Sequence, residues 1–317
     1  MSPPAPDHPH AVQPGDEQRH RPGDEELWNE SYYLDFVSGG GDLAGYVRIG
    51  LYPNLGVTWW TTMVVGEGRP LLASVGYDLP LPGGTGLEVA AAGTEVRATV
   101  VRPLEEMTVQ GSAPAVTLEG AGSVYEGSAG EPTALELDLS WKTDGVPFHY
   151  DLTTRYEIPC LVAGKIVVGG ERAVVEGHGQ RDHSWGVRDW WAFGWCWSAA
   201  RLDDGTRVHA ADIRIPGSPV AFGYVQHPDG RVDPVETLAV TEVLGEGGMP
   251  SRATIEIQPG PLVLEVLPIA FGPLVLTAPD GRISRFPRAA ARFTAADGRA
   301  GTGWIEWNQP GRPAVGR

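Results

Sequence analysis

Apolar and polar positions alternate along most of the chain, and Gly and Pro interrupt them at short intervals. A strand turns successive side chains to opposite faces, so the pattern predicts strands with one face on a core. In the amino-terminal half the runs are 32–37 (YYLDFV), 43–52, 56–65, 70–79, 95–101, 107–111, 134–142 and 164–170. In the carboxy-terminal half they are 190–202, 207–215, 220–227, 253–258, 262–269, 285–295 and 301–309. They are rich in Val, Ile, Thr, Trp and Tyr, which fit a pleated surface. LDDGTR (202–207), HPDGR (227–231), APDGR (278–282) and AADGR (295–299) are turn sequences at hairpin spacing. No amphipathic helix longer than about ten residues is predicted.

So many strands make the chain all-β, and its length suits two tandem antiparallel barrels or sandwiches better than one small barrel. The expected boundary lies in 165–182, where glycine-rich sequence precedes a tryptophan cluster. That divides the chain into an amino-terminal domain, 27–180, and a carboxy-terminal domain, 181–310. Residues 1–26 hold Pro, His, Asp and Glu with almost no large apolar side chain, so a disordered arm is predicted there. Residues 311–317 read as a loose tail.

Composition narrows the function. Hydrophobic residues are 42% of the 317, enough for a core, and the net charge of −16 disfavours nucleic acid and anionic membrane surfaces. No apolar run approaches the roughly 18 residues of a membrane span. The first residues lack the apolar core of a signal peptide, so a cytoplasmic address is expected. Two cysteines, Cys160 and Cys196, are too few for a disulfide scaffold.

Chemistry concentrates in GHGQRDHSWGVRDWWAFGWCW (177–197), which holds five of the 11 tryptophans. Continued alternation puts Trp191, Phe193, Trp195 and Trp197 on one face, an aromatic wall for a flat apolar ligand. His178, Arg181, Asp182 and His183 stand just before it. An Asp182–His183 pair can be a structural hydrogen bond, or can hold a water or substrate proton in place. Arg181, Arg188 and Asp189 can form an ordinary ion-pair network. His178 and His183 with Glu176 and Asp182 match no strong zinc spacing, so no metal is expected. No G-x-S-x-G elbow, P-loop or dinucleotide fingerprint is present, and no cofactor is expected. Asp212 interrupts the strand RVHAADIRI. Either it pairs with Arg214 on the strand's outer face, or it faces a cavity as an acid kept protonated by apolar surroundings.

Asp182, His183 and Trp185 form a D-H-x-W motif with an Asp on a later strand, and this resembles the carotenoid 1,2-hydratase and AttH-like group. WNESYYLDF (28–36) and GWIEWNQP (303–310) are similar to a bacterial branch of it. The resemblance implies lipocalin-like double barrels, a group that includes cyclases of the Diels–Alderase type. It implies that Asp212 protonates an isoprenoid double bond, that His183 orients or deprotonates water, and that Trp185 faces the cation. The hydratases have a Tyr two residues before the acid, where this chain has Ala210. That departure counts against hydration itself and leaves either a related acid-initiated reaction or a binding site that has lost its chemistry.

Three functions remain open. One is a cofactor-independent hydratase, isomerase or cyclase of an isoprenoid, steroid-like or polyketide molecule. The second is a carrier of an apolar ligand, and the third a structural or partner-binding protein without a ligand. Enclosure of Asp212, His183 and Trp185 in one cavity would favour the first. The sequence leaves the oligomeric state open.

Overall fold

The computed structural model describes residues 11–311. Most of it is strand, in two large curled antiparallel sheets that form two tandem barrel units. The longest helix is the five-residue turn Gly122–Glu126. Among the described residues no helix is long and apolar enough to cross a membrane.

The first sheet runs outward from a central pair, Trp28–Ser38 and Glu171–Val187. It curls until Leu71–Pro80 pairs with Glu106–Leu118. Its interior holds Leu34, Phe36, Ile49, Trp60, Trp141 and Ile158. The second sheet is centred on Gly194–Leu202, flanked by Arg207–Arg214 and Ala300–Pro310. Its interior holds Val208, Ala210, Leu264, Phe293, Ile305 and Trp307.

A third apolar cluster joins the barrels and contains Tyr33, Tyr46, Trp190, Trp195, Trp197, Phe286 and Trp304. Period-two geometry explains how one strand serves two cores. Tyr32, Leu34 and Phe36 enter the first barrel, whereas Tyr33 and Val37 on the same strand enter the joint. All 11 residues of Trp28–Ser38 are buried as a result. Two polar groups of the joint bond across it: Tyr46 Oη donates to Gly272 O at 3.0 Å and Trp304 Nε1 to Phe36 O at 3.0 Å. Cys160 and Cys196 are buried free thiols in different barrels.

The expected division at 180/181 falls inside Glu171–Val187, which pairs along its length with two strands of the first sheet. Glycine misled the reading. A Cβ at Gly177 would lie 2.0 Å from Val37 O, and one at Gly179 2.0 Å from Asp35 O. These glycines admit a neighbouring backbone inside a strand instead of ending a domain.

Residues 11–26 also differ from the expected arm. Pro14–Glu17 forms a 3-10 turn, and Val12 and Glu17 are buried. Glu17 Oε1 accepts from Tyr156 Oη at 2.7 Å and from Arg181 Nη1 at 2.5 Å. Polar contacts under cover hold this segment, with Val12 as its one buried apolar side chain, so hydropathy could not reveal it. Residues 1–10 of the predicted arm and 312–317 of the predicted tail lie outside the described residues.

Candidate active site between the barrels

Strand Glu171–Val187 ends at the joint, and Gly194–Leu202 begins the second sheet. The turn between them is held by side chains. Trp191 N donates to Asp189 Oδ1 at 2.9 Å, and Asn308 Nδ2 donates to Trp190 O at 2.9 Å and Phe193 O at 3.1 Å. The expected strand 190–202 therefore starts at Gly194. This crossing encloses one side of a cavity of about 700 Å³.

One part of its wall is apolar, with Phe193, Trp195, Trp197, Ile213, Val220 and Phe222. The other is polar, with Asp182, Arg155, Arg48, Arg188, Arg288 and Glu306. Asp182 is 7% exposed and accepts from Arg155 Nη2 at 2.7 Å through Oδ2. Burial pushes its carboxyl up to about 7; Arg155 opposes this, and the charge of Glu157 adds to it. Glu157 is fully buried and accepts from Arg155 Nε at 2.8 Å, Trp197 Nε1 at 3.1 Å and Gln180 Nε2 at 2.9 Å. Across the cavity, Glu306 accepts from Trp195 Nε1 at 2.7 Å and pairs with Arg288. Arg288 lies over the Tyr33 ring at 5.2 Å, and burial holds that phenol well above its usual range.

The expected residues separate into three groups. Asp182, Trp185, Phe193, Trp195 and Trp197 line the cavity. Arg181 and His183 alternate with Asp182 and face the first barrel. His183 Nδ1 donates to Asp16 O at 2.8 Å, and Nε2 lies 2.9 Å from Glu30 Oε1. His178 Nε2 donates to Thr302 O at 3.0 Å, and Trp191 Nε1 donates to Leu276 O at 3.0 Å; neither lines the cavity. Trp185 bridges two regions, lining the mouth and stacking on His20 at 3.7 Å.

Asp212 is not at the cavity, although its neighbours Ala211 and Ile213 are. Its side chain follows Ala210 to the other face, where Arg214 Nε donates to it at 2.9 Å. Arg214 also reaches Glu242 at 2.8 Å, so the three charges close a network between two strands. Of its two environments, the structure gives Asp212 the ion pair; the acid that the resemblance implied there has no access to the cavity.

His20, Glu30 and His183 are the described group whose ligand atoms lie close enough together for a metal. Both histidines contact the carboxylate: Glu30 also accepts from the His20 backbone at 2.9 Å, and His20 Nδ1 lies 2.7 Å from it. Burial would raise Glu30, but the histidine hydrogen bonds outweigh it and lower the carboxyl.

Arg48, Arg155, Arg288 and Glu306 were not singled out from sequence. Their signal is a charge amid apolar strand neighbours, as in GYVRIGLY and GWIEWNQ. Such an interruption marks a strand facing a polar cavity as readily as one facing water.

Residues 13–311 match the family model described as Domain of unknown function (DUF7064). The chain belongs to this family. No curated protein matches its sequence. Solved structures share the fold. A Nitrosomonas europaea protein named as an AttH candidate superposes with a TM-score of 0.63 at 15% identity, covering 97% of this chain and 99% of that one. Kievitone hydratase from Nectria haematococca gives 0.58 at 12% identity over 89% of each chain. CghA gives 0.58 at 10% identity over 92% of this chain and 90% of its own, and has also been solved with Sch210972. The double-barrel fold of the AttH-like group is thus the fold of this DUF7064 chain.

Proposed function

We propose that this chain is a hydratase, isomerase or cyclase that works on a hydrophobic small molecule by acid-initiated chemistry in the cavity between its barrels. The observation that carries the reading is Asp182, a buried carboxyl pushed up to about 7 and facing a space walled by indoles. A carboxylic acid that keeps its proton near neutral pH can deliver it to a substrate. The kievitone hydratase fold is consistent with this reading.

The residues divide the work. Asp182 gives its proton to a carbon of a substrate double bond, whose electron pair forms the new C–H bond. The cation left on the adjacent carbon lies against the faces of Trp195 and Trp197. Trp197 is held by Glu157 and Trp195 by Glu306, so both rings are preorganised. Arg155 then stabilises the carboxylate left on Asp182. Addition of water completes a hydration, and its surplus proton restores Asp182. Loss of a neighbouring proton to the Asp182 carboxylate gives an isomer; attack by a second double bond closes a ring and moves the cation to that bond's far carbon, where loss of a proton to Asp182 ends the reaction. Isoprenoid, steroid-like and polyketide alkenes fit these requirements.

Incubation with such alkenes in deuterated, oxygen-18-labelled water, followed by mass spectrometry, tests the reading. Wild type should place deuterium on carbon, and Asp182→Asn should lose at least about a hundredfold of that rate, the usual worth of a general acid. Recovery of bound alkenes unlabelled from wild type would instead support the carrier.

A further inference from the structure

We infer that the substrate carries an acidic group, a carboxylate or an ionised enol, and that Arg48 and Arg188 hold it beside Trp190. The inference rests on the cavity being the substrate site and names the class of molecule that enters it.

The charges around the cavity do not balance. Arg155 is matched by Asp182 and Glu157, and Arg288 by Glu306. Among the described residues, neither Arg48 nor Arg188 has a carboxylate partner. Arg48 is 4% exposed, its side chain makes no hydrogen bond to the described residues, and its Nη2 is buried and unpartnered. Arg188 donates to the hydroxyl of Ser184 at 3.2 Å. The guanidiniums lie 4.9 and 5.4 Å from the centre of the Trp190 ring. A π face does not replace the water that such cations give up on burial.

Two further facts favour an anion as the missing partner. Burial and the nearby cations Arg155 and Arg48 push Arg188 down to about 10, against the pull of Asp182. The cavity wall presents four arginines, Arg48, Arg155, Arg188 and Arg288, against three carboxylates, Asp182, Asp189 and Glu306, and Asp189 is paired outside the wall with Arg282, in a chain whose net charge is −16. The backbone also makes room for Arg48: a Cβ at Gly50 would lie 2.5 Å from Arg48 Nη1. Planar guanidinium forks suit a carboxylate or an enolate. With the acidic end clamped, the apolar body extends along Phe193, Trp195 and Trp197 and past Asp182.

Pyrenebutyrate and pyrenebutanol provide the test, since they share an apolar body and differ at the acidic end. Binding is read as energy transfer from tryptophan to pyrene. Wild type should bind the acid at least about tenfold more tightly than the alcohol, the worth of one charge-assisted hydrogen bond. Arg48→Gln and Arg188→Gln should each reduce that preference and keep the alcohol affinity within about twofold. Equal binding of acid and alcohol by wild type overturns the clamp and leaves the cavity reading standing. Persistence of the full preference in both variants also overturns the clamp. Binding of neither compound overturns both readings. The wild-type comparison decides the matter even if Arg48→Gln fails to fold.

Discussion

Asp182 and His183 are adjacent in sequence and face different compartments: Asp182 accepts from Arg155 at 2.7 Å beside the cavity, whereas His183 contacts Glu30 at 2.9 Å inside the first barrel. The pair that looked like one acid–base unit is split by the pleat of the strand. Of the two, Asp182 is the one placed to give a proton to a ligand in the cavity, as the proposed function requires, whereas His183 bonds to the amino-terminal segment through Asp16 O.

Activity should follow the protonated form of Asp182. With its carboxyl pushed up to about 7, the rate should be level at lower pH and fall as pH rises through that value. Initial rates of deuterium incorporation across this range give the profile. A rate that climbs through the same window would rule Asp182 out as the donor.

Asp212→Asn separates this assignment from the one the family resemblance implied. The substitution leaves the cavity wall untouched, so the rate should stay within about twofold of wild type. Unfolding in urea should show a loss of about 1 kcal/mol or less, because Arg214 is partly solvated and keeps Glu242. An activity loss matching that of Asp182→Asn would return the acid role to Asp212.

Glu17→Ala should be far more costly. It leaves Arg181, 3% exposed, without its ion-pair partner, and Tyr156 without its acceptor. Breaking a buried pair from one side costs about 3–5 kcal/mol. Denaturant unfolding measures this directly, and a change below about 1 kcal/mol would mean that the pair is solvated.

Gly177→Ala tests the close approach of strands in the first sheet. Its new methyl would meet Val37 O at 2.0 Å, so the two backbones must separate. A loss of about 3 kcal/mol or failure to fold is expected, seen as a fall in melting temperature or in soluble yield. An unchanged melting temperature would contradict the register of Trp28–Ser38 against Glu171–Val187.

Alternation carried most of the fold. It identified the strands because each barrel needs one buried face, and it put Trp195 and Trp197 on the correct side together. Alternation does not state which compartment a face meets. The strand Glu171–Val187 continues past Arg181 and Asp182 and turns them to opposite sides, which the pattern of residues 177–197 does not reveal. Arg48 and Glu306 escaped notice because a charge within a strand ordinarily denotes solvent. Long-range pairings such as Arg181 with Glu17 leave no local trace.

The crossing at 188–193 makes the chain indivisible. A cut at the expected boundary would strip the first barrel of Asp182 and of the edge that pairs with Trp28–Ser38. A cut after Val187 would spare that ladder but divide Asp182 and Arg155 from Trp195, Trp197 and Glu306. Whatever enters the cavity meets two walls at once, and neither half-molecule inherits a working portion. Separately expressed barrels would have to reassemble before any ligand had a place to bind.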